Sequence, residues 1–490
     1  MDKIGLWTPS LSVLQLSDLH RDPANPIRNG VLLDSLENDR RRYVQESGCK
    51  IRSPDIIIVT GDIIQGVKPG TDDPDPRLNE QYDEALDFLG KLTDVLVGGD
   101  RERVVIVPGN HDASACHALK SMKRIDIASG RKHALVTQLF SLESPLRWSW
   151  LDFELYEISD TTGYDKRFAA FAAFYSKFYR GKRSYNLDPA KQYDIFDFPD
   201  FNVTIASFSS CFNNDILNRQ GAIHPNCIAD AGTRLRGAEL QDRVRIAVWH
   251  HNTEGLPARS DYMDPETLQN LIDRGFSLGF HGHQHRPQFL NTRFRYGGDR
   301  RITVVSAGTL CGSASFRFGR AYNVVELDTA ARSGRLHLRE MLNPDLQLPI
   351  WGPRALPPAA SNFLQFTYDS PPAPLAERDE VTSKLISAQR LYEQGDYAKA
   401  ANLLKGLAAS DQLARRLLLD CLRQLDDRLS IIANFNPPVS STEVIFVMDA
   451  LWDEGDRNGL QSILKSPFVA ASTDPSVIEQ RQKFLARLNK

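Results

Sequence analysis

The chain has 490 residues, 41% of them hydrophobic and 25% charged, with a formal net charge of -3. That length calls for two or three domains of ordinary globular composition, and the charge excludes a global basic field for nucleic acid while leaving local patches open. No apolar run reaches the ~20 residues of a membrane helix, and the first residues enter a strand without a charged-then-apolar leader, so a cytoplasmic protein with no membrane partner is expected.

Short β-rich apolar runs alternate with helical patterns, the signature of an α/β domain. In chain order the spacing predicts strands at Leu11–Leu16, Asp55–Val59, Val104–Val107, Val203–Phe208, Ile246–Trp249, Phe276–Phe280, Ile302–Ser306 and Ala321–Leu327. The first three end in Ser17-Asp18-Leu19-His20, Thr60-Gly61-Asp62 and Pro108-Gly109-Asn110-His111-Asp112. Open α/β sheets bind ligands beyond the carboxyl ends of their strands, so these polar residues are functional candidates. Before the strand that leads to His283, Asp264 serves as a cap, Pro265 opens a helix and Gly275 follows its end.

Residues 130–200 interrupt the pattern as an aromatic-rich insertion or cap. Phe168, Phe171, Tyr175 and Phe178 recur there at helical spacing, beside Lys166, Arg167, Lys177, Arg180, Lys182 and Arg183. Such a stretch either packs its aromatic stripe on the main domain or offers basic and aromatic groups to a nucleotide or single strand. Residues 343–377 are rich in proline, which fixes φ and lacks a donor, and they read as a surface linker without regular structure.

Residues 378–490 read as an all-helical domain. Leu391–Asp396 echoes Leu451–Asp456, and Leu403-Leu404-Lys405 echoes Ile463-Leu464-Lys465, both at an offset of 60. Ala388–Leu404 resembles one unit of a tetratricopeptide repeat, although that family's offset is ~34. A small bundle or degenerate repeat is expected, serving to dock a protein partner or a second copy of the chain. Six cysteines, Cys49, Cys116, Cys211, Cys227, Cys311 and Cys421, contain no CxxC pair, and reduced buried thiols are expected.

Five polar segments stand in order: Asp18-Leu19-His20, Gly61-Asp62, Gly109-Asn110-His111-Asp112, His250-His251 and Gly282-His283-Gln284-His285. They supply what two divalent cations ~3.5–4 Å apart require, several oxygen and nitrogen ligands with one carboxylate to bridge. Mixed carboxylate, imidazole and amide donors suit Mn, Fe, Zn or Co better than Mg or Ca. The order D-x-H, G-D, G-N-H-D, H and G-H-x-H resembles that of the calcineurin-like metallophosphoesterases, over roughly residues 11–340 outside the insertion.

That resemblance implies an α/β metallophosphoesterase domain at 1–342, a β-sandwich flanked by helices with a dinuclear centre. It implies Asp18, His20 and His285 at one metal, Asn110, His250 and His283 at the other, and Asp62 bridging them, with Mn the foremost candidate. His111 matches the family's non-ligand histidine, placed to protonate a leaving oxygen or stabilise phosphoryl charge. The nucleophile implied is a metal-bridging hydroxide attacking phosphorus in line with the departing alkoxide. Asp112 either orients His111 or is an exposed turn carboxylate. Arg21 and Arg286 follow proposed ligands and either hold a substrate phosphate or stand solvated. His250 is preferred to His251 as ligand by motif alignment, and His281, His117, His133, His224 and His337 are taken as structural.

The superfamily includes protein phosphatases, cyclic-nucleotide phosphodiesterases, nucleotidases and exonucleases, and fold alone does not choose among them. The basic-aromatic insertion and the appended helical domain favour a phosphodiester of a nucleotide or nucleic acid. The alternatives are a phosphomonoesterase, or a non-catalytic metal-binding scaffold of the kind the retromer component of the superfamily exemplifies.

Overall fold

The computed structural model describes residues 10–46, 50–126, 138–139, 141, 143–237, 239–255, 261–293, 301–314, 318–354, 362–369, 376–409, 411–472 and 474–488. Cys49, His133 and the start of the insertion lie outside them, as do Pro357, Pro358, Pro371, Pro372 and Pro374 of the proline-rich stretch. The chain divides into two compact units, Met1–Pro372 and Ala373–Lys490.

The described strands of the first unit are, in order, β1 Leu11–Leu16, β2 Ile56–Thr60, β3 Val104–Val107, β4 Met122–Ile125, β5 Leu146–Ser149, β6 Glu154–Ile158, β7 Tyr193–Phe198 and β8 Val203–Phe208. They continue with β9 Val244–Val248, β10 Leu278–His281, β11 Gln288–Arg293, β12 Arg301–Ser306, β13 Ala321–Asp328, β14 Ser333–Met341, β15 Trp351–Arg354 and β16 Leu364–Thr367. One sheet runs β15-β14-β13-β1-β2-β3 with β16 also on β14, and a second runs β11-β12-β10-β9-β8-β7. A small third sheet, β4-β6-β5, joins two strands of the insertion to β4, which precedes it.

β1, β2 and β3 are parallel, and every residue in them is buried. Near-continuous apolar runs such as Ile56–Val59 are what a strand covered on both faces requires. Helices Asn29–Arg42 and Asp75–Val97 contribute Leu32, Leu36, Phe88 and Leu92 to the same core. In the second sheet Ile205, Ile246 and Val248 join that central core, while Ala206, Ala247 and Trp249 join another with helices Pro225–Arg234 and Pro265–Asp273. This period of two places the main core between the sheets and helices outside, the expected helix-flanked sandwich. All eight predicted strands form, with ends shifted by a residue or two. The predicted helix is capped as read: the Asp264 carboxylate accepts from the Glu266 amide at 2.8 Å.

One expectation needs correction. The stretch 343–377 is not a structureless linker, because β15 and β16 pair with β14. Trp351 is fully buried, its indole N–H donating to Ser35 Oγ at 2.9 Å. Pro353 fits because β15 is the outermost strand of the sheet's path, where a missing N–H breaks no inner ladder. Of the two readings of the insertion's aromatic stripe, packing on the main domain is the one that holds. Phe168, Phe171, Phe174, Tyr175 and Phe178 lie in the central core, and Phe174 stacks on Tyr82 of helix Asp75–Val97 with ring centroids 5.0 Å apart. Several of its cations are spoken for: Arg183 pairs with Glu102 and Asp194, Lys177 with Asp83, and Arg167 is buried over the Tyr164 ring.

The second unit is helical. Three helix pairs follow one another: Ala376–Glu393 with Tyr397–Leu404, Gln412–Gln424 with Arg428–Phe435, and Ser441–Asp453 with Arg457–Lys465. Each pair turns through one left-handed residue, Gly395, Asp426 or Gly455. Each then starts its second helix on a capping aspartate, Asp396, Asp427 or Asp456. These turns fall about thirty residues apart, so the sixty-residue echo spans two pairs. The middle pair was hidden because Asp426 takes the place that glycine holds in the other two.

Trp351→Ala tests the role of the added strands. It should cost about 3–5 kcal/mol of the first unit's stability, the usual loss for a buried tryptophan. Denaturant unfolding that detects a loss below about 1 kcal/mol would make the segment a dispensable surface tail.

Candidate metal centre

Parallel pairing brings β1, β2 and β3 to one edge, and β9 and β10 run parallel in the second sheet, Val248 opposite Phe280. The five polar segments leave from the carboxyl ends of these strands. Gln15 ties the two sheets near that edge, its side-chain amide donating to the His281 and Val305 carbonyls. Five of the seven expected ligands occupy the left-handed region: Asp18 (φ 52°), His20 (φ 43°), Asp62 (φ 51°), His283 (φ 79°) and His285 (φ 54°). Such backbone costs of order 1–3 kcal/mol per residue and persists where the surroundings over-determine it, a hallmark of functional sites.

The side chains converge. Asp18, His20 and His285 form one trio, and Asp62, His250 and His283 another, each with ligand atoms within 4.8 Å of one another. His20, Asp62 and His111 form a third trio between them. His285 Nε2 lies 3.2 Å from Asp18 Oδ1, and His250 Nε2 lies 3.4 Å from Asp62 Oδ1. Asp62 Oδ2 faces the other way, 3.9 Å from His20 Nε2 and 4.0 Å from His111 Nε2. Asn110 Oδ1 sits 3.1 Å from His250 Nε2 and 3.0 Å from His283 Nδ1.

Backbone carbonyls set the imidazoles. Nδ1–H of His250 donates to Thr60, that of His285 to Ser313 and that of His111 to Gln65, each at 2.7 Å. Each bond turns the ring's Nε2 toward the cluster, the usual way a protein fixes a ligating tautomer. Two glycines make room: a Cβ on Gly61 would lie 2.4 Å from His250 Nδ1, and one on Gly109 would lie 2.2 Å from Asp62 Oδ1.

The donor set fits a pair of divalent cations. Asp18, His20, Asp62 and His250 are buried, and the oxygen and nitrogen ligand atoms of each trio gather within 4.8 Å of one another. Imidazole nitrogens approach each other at 3.3 Å (His20 and His285) and 3.2 Å (His250 and His283), an arrangement that asks for shared positive charge between them. The protein itself distributes that charge unevenly. Burial raises the Asp18 pKa, but the hydrogen bond and field of His285 outweigh it and bring the carboxyl to about 2. Burial likewise works against Asp62, which His250 and His111 hold well below the ordinary range. Burial also opposes charge on His250 and His285, yet the carboxylates lift both to about 9. For His20 and His283 burial prevails, and both fall to about 4.

The remaining candidates separate clearly. His250, not His251, faces the cluster. His251 is buried behind it, with Ser210 Oγ 2.9 Å from Nδ1 and Asn214 Nδ2 3.2 Å from Nε2. His281 packs on Trp249, His117 meets Ser114 and His337 meets Glu326, all outside the cluster. Arg21 is a correction: it is fully buried, donating to the Ile27 carbonyl at 2.9 Å and lying 3.4 Å from Glu84, so it cannot hold a substrate phosphate. Arg286 is exposed and lines a cavity beside His283 and His285.

Asp112 is the second correction, being neither exposed nor a partner of the His111 ring. Its carboxylate accepts from the amides of Gly109 (2.7 Å) and Ile63 (3.1 Å) and from the Tyr82 hydroxyl (3.0 Å). It therefore clamps the turn carrying Asp62 to the turn carrying Asn110. Burial and the nearby Asp62 charge push its pKa up to about 7. Sequence reasoning missed this clamp because Tyr82 comes from a helix with no motif.

The calcineurin-like phosphoesterase family matches residues 11–287, more than half of the chain, and the chain belongs to that family. No curated protein sequence matches it. Among solved structures it is similar to a dimetal phosphatase from Danio rerio, with 11% identity, a TM-score of 0.39, and 74% of this chain and 100% of that one covered. It is also similar to Vps29 from Chaetomium thermophilum, with 9% identity, a TM-score of 0.25, and 74% and 98% covered. A phosphopantetheinyl hydrolase from Mycobacterium tuberculosis matches with 15% identity, a TM-score of 0.24, and 62% and 91% covered. Likenesses this distant say nothing about the substrate.

Asp112→Ala strands three donors, each worth about 1–3 kcal/mol when left unpartnered. It should lower stability by about 3 kcal/mol and reduce the metal bound per chain. Unchanged metal content by elemental analysis would show that the two turns hold their ligands without the clamp.

Proposed function

We propose that the chain hydrolyses a phosphodiester of a small alcohol at two divalent transition-metal cations, Mn foremost. Asp18, His20 and His285 would hold one cation, Asn110, His250 and His283 the other, with Asp62 shared. The observation that carries this reading is the Asp62 carboxylate, one oxygen toward His250 and the other toward His20 and His111. Bound there, the cations would bring the pKa of water toward neutrality and offset phosphoryl charge.

His111 is the catalytic residue the protein itself supplies. Its Nδ1–H is held by the Gln65 carbonyl, its side chain is 37% exposed, and its Nε2 points to Asp62, beside which the phosphoryl group would sit. From that position it donates a proton to the departing alkoxide or a hydrogen bond to a phosphoryl oxygen. Arg286 stands at the rim as a further partner for phosphate oxygen.

The expected preference for nucleotides or nucleic acid loses its main support, since the aromatic stripe is core and much of its charge is paired. Among its described lining residues the cavity beside the histidines has one guanidinium, two carboxylates and no Phe, Tyr or Trp to stack on a base. A monoanionic diester meets less repulsion there than a dianionic monoester. With Mn, bis-(p-nitrophenyl) phosphate should therefore turn over at least about 10-fold faster than p-nitrophenyl phosphate, a difference of about 1.4 kcal/mol. His111→Ala should lose about 10²–10⁴-fold in rate while retaining both metals. Turnover of the monoester alone would remove the diester reading, faster cleavage of DNA or RNA would restore the nucleic-acid one, and inertness with every metal and substrate would favour a scaffold.

The helical unit Ala373–Lys490 supplies none of the clustered residues. We propose that it docks a protein partner or a second copy, since Leu425 and Leu429 stand exposed around its middle turn. A chain ending at Pro372 should keep diesterase activity and lose any dimer seen by sizing. Lost activity in a folded truncation would tie the helices to catalysis.

A further inference from the structure

The ring of His111 is partly exposed, and it is aimed by the bond from its Nδ1–H to the Gln65 carbonyl at 2.7 Å. Gln65 stands in the loop that leads from the Asp62 turn to helix Asp75–Val97. Its carbonyl belongs to the peptide unit that joins it to Gly66. A trans peptide is planar, with its N–H and C=O directed to opposite sides. The Gly66 N–H donates to Gln81 Oε1 at 2.9 Å, so the Gln65 carbonyl, on the far side of the same plane, is turned to His111. Gln81 Nε2 also donates to the Gly66 carbonyl at 3.3 Å and so grips that residue at both ends. Gly66 is left-handed (φ 76°), and a Cβ there would lie 2.9 Å from the His111 carbonyl oxygen. Glycine is what lets the loop lie this close to His111.

Only one orientation of the Gln81 amide fits. Oε1 faces a donor and Nε2 faces acceptors on Gly66 and Asp22, so a flipped amide would oppose like groups. Asp22 Oδ2 accepts from Nε2 at 2.6 Å, and Arg77 Nη2 donates to the two Asp22 oxygens at 2.6 and 2.9 Å. The hydrogen bonds therefore run in one direction, from the His111 imidazole through the 65–66 peptide and the Gln81 amide to a carboxylate. Bonds in such a row polarise one another, so the bond at His111 gains from those behind it. Gln81 is 2% exposed, and the next residue of its helix, Tyr82, bonds to Asp112.

We propose that Gln81 is a positioning residue for His111, with Asp22 as its anchor. It sets the Gln65 carbonyl, which fixes the His111 tautomer and aims Nε2 at the phosphoryl group. The effect on turnover rests on the hydrolase reading above; the effect on the ring does not. The bonds of Gln81 go to Gly66 and Asp22 and to none of the proposed metal ligands, so positioning and metal binding are separable.

Gln81→Met keeps the length and volume of the side chain and removes its bonds. With Mn and bis-(p-nitrophenyl) phosphate, kcat should fall about 10-fold or more, part of what a positioned proton donor contributes, with KM and metal content close to wild type. In a His111→Ala background the same substitution should change kcat less than about 2-fold, because residues that act as one unit are not additive. Asp22→Asn weakens the row from its far end and should lower kcat about 3-fold, a charge-assisted bond becoming a neutral one; it carries the same comparisons if Gln81→Met does not fold. In metal-free protein with isotope-labelled histidine, the imidazole N–H resonance that His111→Ala removes should be sharp in wild type and broadened by solvent exchange in Gln81→Met. Four results would overturn the proposal: unchanged kcat, a loss as large without His111, a loss of metal, or a His111 resonance that is absent from wild type or unaltered in the variant. If wild type hydrolyses no ester with any metal, the hydrolase reading falls, and the resonance still decides whether Gln81 holds the ring.

Discussion

Asp62 is the constraint on which the rest depends. It sits in a left-handed turn directly after β2, and its Oδ1 accepts the His111 amide at 2.9 Å while its two oxygens face different imidazoles. Nothing larger than a hydrogen fits at Gly109 beside it. Because the turn is wedged, the carboxylate lies between the two trios and connects them. Without cations, His250 and His285 are the imidazoles held charged, and His20 and His283 the ones held neutral. Each trio thus pairs one protonated imidazole with a carboxylate, the charge pattern that a cation in each trio would replace.

The fold serves this arrangement by aligning strand ends. Three parallel strands in one sheet and two in the other present their carboxyl ends, and every residue of those strands is buried. The Asp112 clamp then joins neighbouring turns, so ligand spacing does not rely on loop stiffness alone. The insertion, by contrast, has become part of the core through Phe171, Phe174 and Tyr175, which leaves the earlier nucleic-acid reading without its platform.

Much of the site was legible because its residues recur in short segments after strands, where glycine and polar side chains break apolar runs. What escaped reading depends on partners far apart in sequence. β14, not read as a strand from the sequence, carries Arg335, His337 and Arg339 among apolar residues. His337 and Arg339 are buried because Glu326 and Asp39 meet them, Arg339 Nη2 at 2.6 Å from Asp39. Arg21, read as holding a phosphate or standing solvated, is buried because Ile27 and Glu84 supply its partners. Asp426 concealed a helix pair by standing in a left-handed position without glycine. Local spacing reports turns and faces; it does not report which distant charge neutralises which.

Anomalous diffraction from a Mn-loaded crystal is the most direct test. Two peaks about 3.5–4 Å apart, with the Asp62 carboxylate between them and Asp18 and Asn110 on opposite sides, would establish the shared-carboxylate centre. A single peak, or peaks remote from Asp62, would refute it.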